Sequence, residues 1–149
     1  MDEHERARRS GEAMWAGDAA SKAAGMRIEE MGPGRAVLSQ VLRDDQLNGH
    51  GTAHGGVLFT LADSAFAFAC NSRNRRAVAQ HASITFLSAG RARERLTATA
   101  REAALSGRSG TYDVTVTGED GRTVAIFQGL SRTVGGTHFD ENQNGEAAP

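Results

Sequence analysis

One apolar stretch decides much of what this chain can become. Residues 56–70 read Gly-Val-Leu-Phe-Thr-Leu-Ala-Asp-Ser-Ala-Phe-Ala-Phe-Ala-Cys. Their alanines and leucines predict a helix rather than a strand. The helix is apolar on nearly every side, so other structure has to wrap it. One group breaks the pattern: Asp63 is the only formal charge between Asp45 and Arg73. A carboxylate there costs several kcal/mol of desolvation unless something compensates it, and a chain that only needed a core would avoid it.

The segment just before this helix is Asn48-Gly-His-Gly-Thr-Ala-His-Gly-Gly56. The helix is expected to begin at Gly55 or Gly56, where its free backbone N–H groups stabilise negative charge, such as an oxyanion formed on a carbonyl. Glycine there lets a substrate approach the backbone. Helical spacing puts Asp63 on the side of Gly56, Thr60 and Ala67, so that one rigid element supplies both an electrophilic donor and a carboxylate. Two structural readings stay open: Asp63 as an acid bonded to backbone or to a partner's arginine, and the glycines as a plain helix cap.

Other chemistries fit less well. His50 and His54 have i, i+4 spacing, but the glycines between them disfavour a helix and no third ligand converges, so no metal is expected. No Gly-x-Ser-x-Gly elbow and no P-loop ending is present. Cys70 has nothing in sequence to activate it. Arg73, Arg75 and Arg76 form a basic loop, and Arg108, between glycines and serines, is the preferred candidate for a phosphate contact.

At 149 residues the chain is expected to hold one domain. A net charge of -1 gives no field that would draw nucleic acid or an anionic membrane. The lone cysteine, the absence of an apolar leader after Met1 and the lack of any uninterrupted membrane-length run fit a cytoplasmic protein. Aromatic residues make up only 5%, a small core for a monomer, which hints at oligomers.

Along the chain, residues 1–10 are expected to be flexible. Residues 11–24 should form a helix laying Met14 and Trp15 over the core, stopped by Gly25. A strand is expected over 35–43 and a polar loop over 44–52. After the buried helix come strands over 78–87, 95–103, 110–118 and 122–134, read as a meander, with a hairpin at Asp120-Gly121. Residues 11–134 form the domain, and 135–149 a disordered tail.

The stretch Leu47-Asn-Gly-His-Gly-Thr-Ala-His-Gly-Gly-Val-Leu-Phe-Thr-Leu-Ala-Asp63 resembles the signature of the hotdog-fold acyl-CoA thioesterases. The likeness is to the phenylacetate-degradation type, through Ala69-Cys-Asn-Ser72, Ile84-Thr-Phe-Leu87, Leu96-Thr-Ala-Thr-Ala100, Gly110-Thr-Tyr-Asp113 and Thr123-Val-Ala-Ile-Phe-Gln-Gly129. The resemblance implies an α+β hotdog fold, a long central helix wrapped by a curved antiparallel sheet. It also implies a homotetramer built as a dimer of dimers, with active sites at subunit interfaces and no cofactor beyond the coenzyme A of the substrate.

By position, the resemblance makes Asp63 the catalytic acid, Gly55 the oxyanion donor, Asn48 a polar group that positions water or the carboxylate, and His54 the histidine beside the donor. Gly56 borders the substrate. Coenzyme A is expected along Ser106, Gly107, Arg108 and Ser109 of the partner, with Phe86 and Arg132 as further contacts. The chain departs from many relatives at Ser88-Ala-Gly90, where they carry Arg-Pro, and at Ala79, where some carry a hydroxyl opposite the acid. The implied activity is hydrolysis of aryl-type acyl-CoA. A hotdog dehydratase or hydratase, or a non-enzymatic acyl-CoA binder, are the alternatives.

Overall fold

The apolar stretch is a helix, α3 (Gly55–Cys70), in a computed structural model that describes residues 1–143. His54 caps its start and Asn71 its end, where the Asn71 amide donates to the Ala67 carbonyl at 2.9 Å. Two further helices precede it, α1 (Glu3–Gly17) and α2 (Ala19–Ala24). The strands are β1 (Met26–Gly32), β2 (Arg35–Val41), β3 (Ala77–Phe86), β4 (Arg95–Ser106), β5 (Ser109–Thr117) and β6 (Thr123–Thr133). They form one antiparallel sheet in the order β1-β2-β4-β5-β6-β3, and α3 packs against every strand of it. This is the hotdog architecture.

Strand periodicity explains how the sheet holds the helix. In β5, Gly110, Tyr112, Val114 and Val116 are buried towards α3, and the residues between them face outward. Phe66 of α3 meets Tyr112 and Phe127 at ring separations of 5.6 and 5.9 Å, and Phe59 meets Phe127 at 5.3 Å. At Gly129 a β-carbon would lie 2.7 Å from the Phe66 ring, so only glycine lets β6 pass this close to the helix.

The four later strands do not form a simple meander. Helix α3 carries the chain across the width of the sheet, so β3 emerges at the far edge beside β6, and β4 returns to pair with β2. Strand β1 lies in a segment whose mixed pattern, Met-Arg-Ile-Glu-Glu-Met, gave no strand signal. The loop expected over residues 104–109 contracts to Gly107-Arg108, with Gly107 at a φ of 60° as the first residue of a two-residue hairpin. The Asp120-Gly121 turn forms, with the Gly118 N–H donating to the Arg122 carbonyl at 3.0 Å.

Among the described residues, 3–10 and 135–143 differ from the expectation of flexibility. Helix α1 begins at Glu3, capped by Asp2, whose side chain accepts the Glu5 N–H at 2.8 Å. The helix breaks at Asp18, which caps α2 in turn, and Gly25 ends α2 in the left-handed region. Met14 and Trp15 pack against the core. Residues 135–143 fold back over the loop after α3. Asn74 Oδ1 accepts the N–H groups of His138 and Phe139 at 2.8 and 3.2 Å, Arg6 pairs with Glu141 at 2.8 Å, and Arg9 lies over the Phe139 ring at 4.3 Å. Residues 144–149 of the expected tail lie outside the described residues. Among the described residues, no helix is long and apolar enough to cross a membrane.

Candidate active site

Helix α3 turns most of its surface into the sheet and leaves one stripe open. Leu58, Leu61, Ala62, Ala65, Phe66, Phe68 and Ala69 are buried, whereas Gly56 and Thr60 are exposed and Asp63 and Ala67 partly so. Asp63 lines a cavity of about 350 Å³ together with Phe66, Ala67, Cys70, Ala79 and Val134. Among the described residues its carboxylate has neither a hydrogen bond nor an ion pair. Burial alone pushes its pKa above the ordinary aspartate value. The structural alternative of a bond to backbone is therefore not met among the described residues, and a partner's arginine lies outside a single chain. Burial also pushes the Cys70 thiol up to about 12, which keeps it protonated and poorly nucleophilic.

The entrance to α3 holds a second constellation. His54 Nδ1 accepts the Gly56 N–H at 2.9 Å, so in the neutral ring the proton sits on Nε2, which can donate. The Gly55 N–H, at the first position of the helix, has no acceptor among the described residues. A β-carbon at Gly55 would come within 3.2 Å of the Phe86 ring, which places Phe86 over this glycine. Asn48 spends its amide on the loop itself. Its Oδ1 accepts the N–H groups of His50 and Thr52 at 2.8 and 3.3 Å, and its Nδ2 donates to Thr52 Oγ1 at 3.1 Å. It thus shapes the turn that carries His54.

These two constellations are not one site within a single chain. Eight residues at the helical rise separate Gly55 from Asp63 by ~12 Å along the axis. A thioester carbonyl held at ~3 Å from both a donor and a carboxylate spans about half that distance. Helix α3 carries both groups, at a spacing too wide for them to meet on one carbonyl within a chain.

The hairpin lies at the other end of α3. Arg73, Arg75, Arg108 and Ser109 border a small recess beside Cys70, and Ser106 stands opposite Ser109 across the Gly107 turn. Arg73 is committed to Glu102, which also accepts the Tyr112 hydroxyl at 3.0 Å. Arg132 sits opposite Ser109 on β6, exposed on the sheet face turned away from α3. His138, which lines the Asp63 cavity, escaped the sequence reading, because nothing local marks it.

The hotdog frame thus carries a half-buried acid without a bonded partner in a largely apolar cavity, and a free helix-start N–H beside a capping histidine. The chain belongs to the thioesterase superfamily, whose family model matches residues 50–125. It is 45% identical to the acyl-coenzyme A thioesterase PaaI of Escherichia coli over 125 residues, 84% of this chain and 89% of that protein. It superposes on the structure of E. coli PaaI, from the phenylacetic acid degradation operon, with a TM-score of 0.90 at 42% identity, covering 91% of this chain and 99% of that one. The structure of a hypothetical thioesterase from Streptococcus pneumoniae with coenzyme A matches at 29% identity and a TM-score of 0.74, covering 78% of this chain and 92% of that one. The chain is of the PaaI type.

Proposed function

We propose that this protein hydrolyses acyl-coenzyme A thioesters bearing aryl-type acyl groups, such as phenylacetyl or hydroxyphenylacetyl, to the free acid and coenzyme A. The observation that carries the reading is the unpaired Asp63 carboxylate in a largely apolar cavity. That combination suits a base or nucleophile facing an apolar acyl group. The aryl preference is supported by the likeness to a protein of the phenylacetic acid degradation operon, and the coenzyme A portion by the coenzyme A held in the streptococcal relative.

The site is shared between two copies. Strand β3 is an edge strand of the sheet, with Val78 and Phe86 about half exposed, and an uncovered apolar edge invites pairing. Pairing β3 with β3 of a second copy extends the sheet and sets the two α3 helices side by side. Asp63 of one copy then faces Gly55 of the other. Coenzyme A runs outward along Ser106, Gly107, Arg108 and Ser109, with Arg132 beside them. Two such dimers stack into a tetramer.

In the reaction the Gly55 N–H and the start of α3 stabilise the oxyanion that forms on the thioester carbonyl. His54 Nε2–H is a second donor at that entrance. Ionised Asp63 either attacks the carbonyl carbon, expelling the coenzyme A thiolate and leaving an anhydride for water to open, or takes a proton from an attacking water. Neither route calls for a metal or redox cofactor.

Thiol release from a panel of phenylacetyl, hydroxyphenylacetyl, benzoyl and medium-chain aliphatic coenzyme A esters tests the reading. Faster turnover of the arylacetyl esters is expected. Preference for aliphatic esters would overturn the aryl assignment, and absence of thiol release from every ester would overturn the hydrolase assignment for this site.

A further inference from the structure

The segment after β6 builds the wall of the Asp63 cavity. Val134 and His138 both line it, and the segment is tied down by Asn74, Arg76 and Arg6. The remaining lining is mostly apolar, through Met14, Phe66, Ala67, Val78 and Ala79, so the polar groups among these walls dictate what an acyl group can carry.

The hydrogen bonds around Asn71 fix the state of His138. The Asn71 Nδ2 donates to the carbonyls of Ala67 and Ala77 at 2.9 and 3.1 Å, and its Oδ1 accepts the Ala77 N–H at 2.9 Å, which sets the amide orientation. Asn71 Oδ1 is therefore an acceptor, and His138 Nε2, 2.8 Å from it, must be the donor. Burial and the nearby Arg76 charge lower the His138 pKa, favouring the neutral ring. A neutral imidazole with its proton on Nε2 keeps a lone pair on Nδ1. Among the described residues no donor reaches that atom.

Resting on the hydrolase reading above, we propose that His138 is a specificity-determining residue: its Nδ1 accepts a hydrogen bond from a hydroxyl on the acyl group seated beside Asp63. In a cavity whose other polar lining is the Asp63 carboxylate, the Asn71 amide already bonded to backbone, and Arg76, an oriented neutral acceptor rewards a substrate that brings a donor to it. Asn71 is the positioning residue that holds the acceptor in one tautomer.

The test compares kcat/KM for phenylacetyl-CoA with that for its ring-hydroxylated analogues, in wild type, His138→Phe and His138→Asn. One hydrogen bond is expected to favour the best hydroxylated ester by about tenfold in wild type. His138→Phe keeps a ring in the wall and should bring that ratio to about one while phenylacetyl-CoA is still hydrolysed. His138→Asn, which retains an acceptor near the Nδ1 position, should restore part of the preference. A wild-type ratio near one overturns the proposal, as does a His138→Phe variant that slows all esters by the same factor. Failure of wild type to release thiol from any ester overturns the hydrolase reading and this proposal with it.

Discussion

Two carboxylates in this molecule, one buried and one half-buried, are treated in opposite ways. Glu94, only 6% exposed, sits at the end of the sheet near the β5–β6 turn. Arg122 grips both its oxygens at 2.5 and 2.8 Å, and the N–H groups of Arg91 and Glu119 add bonds at 3.0 and 3.2 Å. Chiefly through Arg122, the Glu94 carboxyl is held down at about 2. Asp63 has none of this, and burial raises its pKa. The same fold that gives Glu94 four hydrogen bonds leaves Asp63 without a bonded partner among the described residues. The contrast sets a structural acid, Glu94, apart from the acid proposed to react.

Exchanging each acid for its amide breaks the comparison most directly. Asp63→Asn is expected to cut kcat by about a thousandfold, the scale of a lost catalytic acid or base, while the protein stays folded. Near-wild-type thiol release from folded Asp63→Asn would remove Asp63 from the mechanism. Because its carboxyl is harder to ionise in the fold, this substitution should leave the melting temperature at pH 7 unchanged or higher.

The next effect belongs to the entrance of α3. Gly55 occupies the first helical position, where proline is tolerated, and His54 already has φ and ψ of -61° and 136°, values that suit a residue before proline. Gly55→Pro therefore removes the N–H with little harm to the helix. It should lower kcat by about a hundredfold, as loss of an oxyanion donor does, though Phe86 has to shift by a few tenths of an ångström to admit the ring. Circular dichroism and thiol release on the same sample check both halves.

Glu94→Gln should do the reverse of Asp63→Asn. Breaking a buried, hydrogen-bonded ion pair costs about 3 kcal/mol, and for a chain of this size that lowers the melting temperature by roughly 5–10 °C. Turnover per folded molecule should not change. The pH dependence follows with opposite signs. Glu94 has a folded pKa below its ordinary value of 4.5, so its stabilisation is complete above that value and is lost as pH falls towards about 2. Asp63 has a raised pKa, so stability declines slightly as pH rises through its titration. Activity rises over the same interval, because the ionised form reacts. Acid titrations of kcat/KM and of melting temperature, run on wild type and both amide variants, should resolve the two limbs.

The sequence made the centre of the fold readable because its signals are local. An apolar run of helical composition, a glycine start, alternating strands and an Asp-Gly turn each act within a few residues. Strand β1 and the position of β3 depend on which strands meet across the sheet, and no window of sequence contains that pairing. Residues 135–143 look like a polar tail, yet they are ordered by partners such as Asn71, 67 residues away from His138. The distance between Gly55 and Asp63 was legible all along in the helical rise. In the proposed dimer it makes two groups on one helix halves of two different sites.

The most direct measurement mixes two inactive proteins. Gly55→Pro and Asp63→Asn are unfolded together, refolded into mixed oligomers and assayed for thiol release. If Asp63 of one copy works with Gly55 of another, each mixed dimer regains one intact site of two. Random pairing then returns about a quarter of wild-type activity. If both groups serve one substrate within the same chain, no mixed dimer contains an intact site, and activity should stay at the level of the two variants alone. Recovery towards a quarter is the result this account predicts, and no recovery from verified mixed oligomers would contradict it.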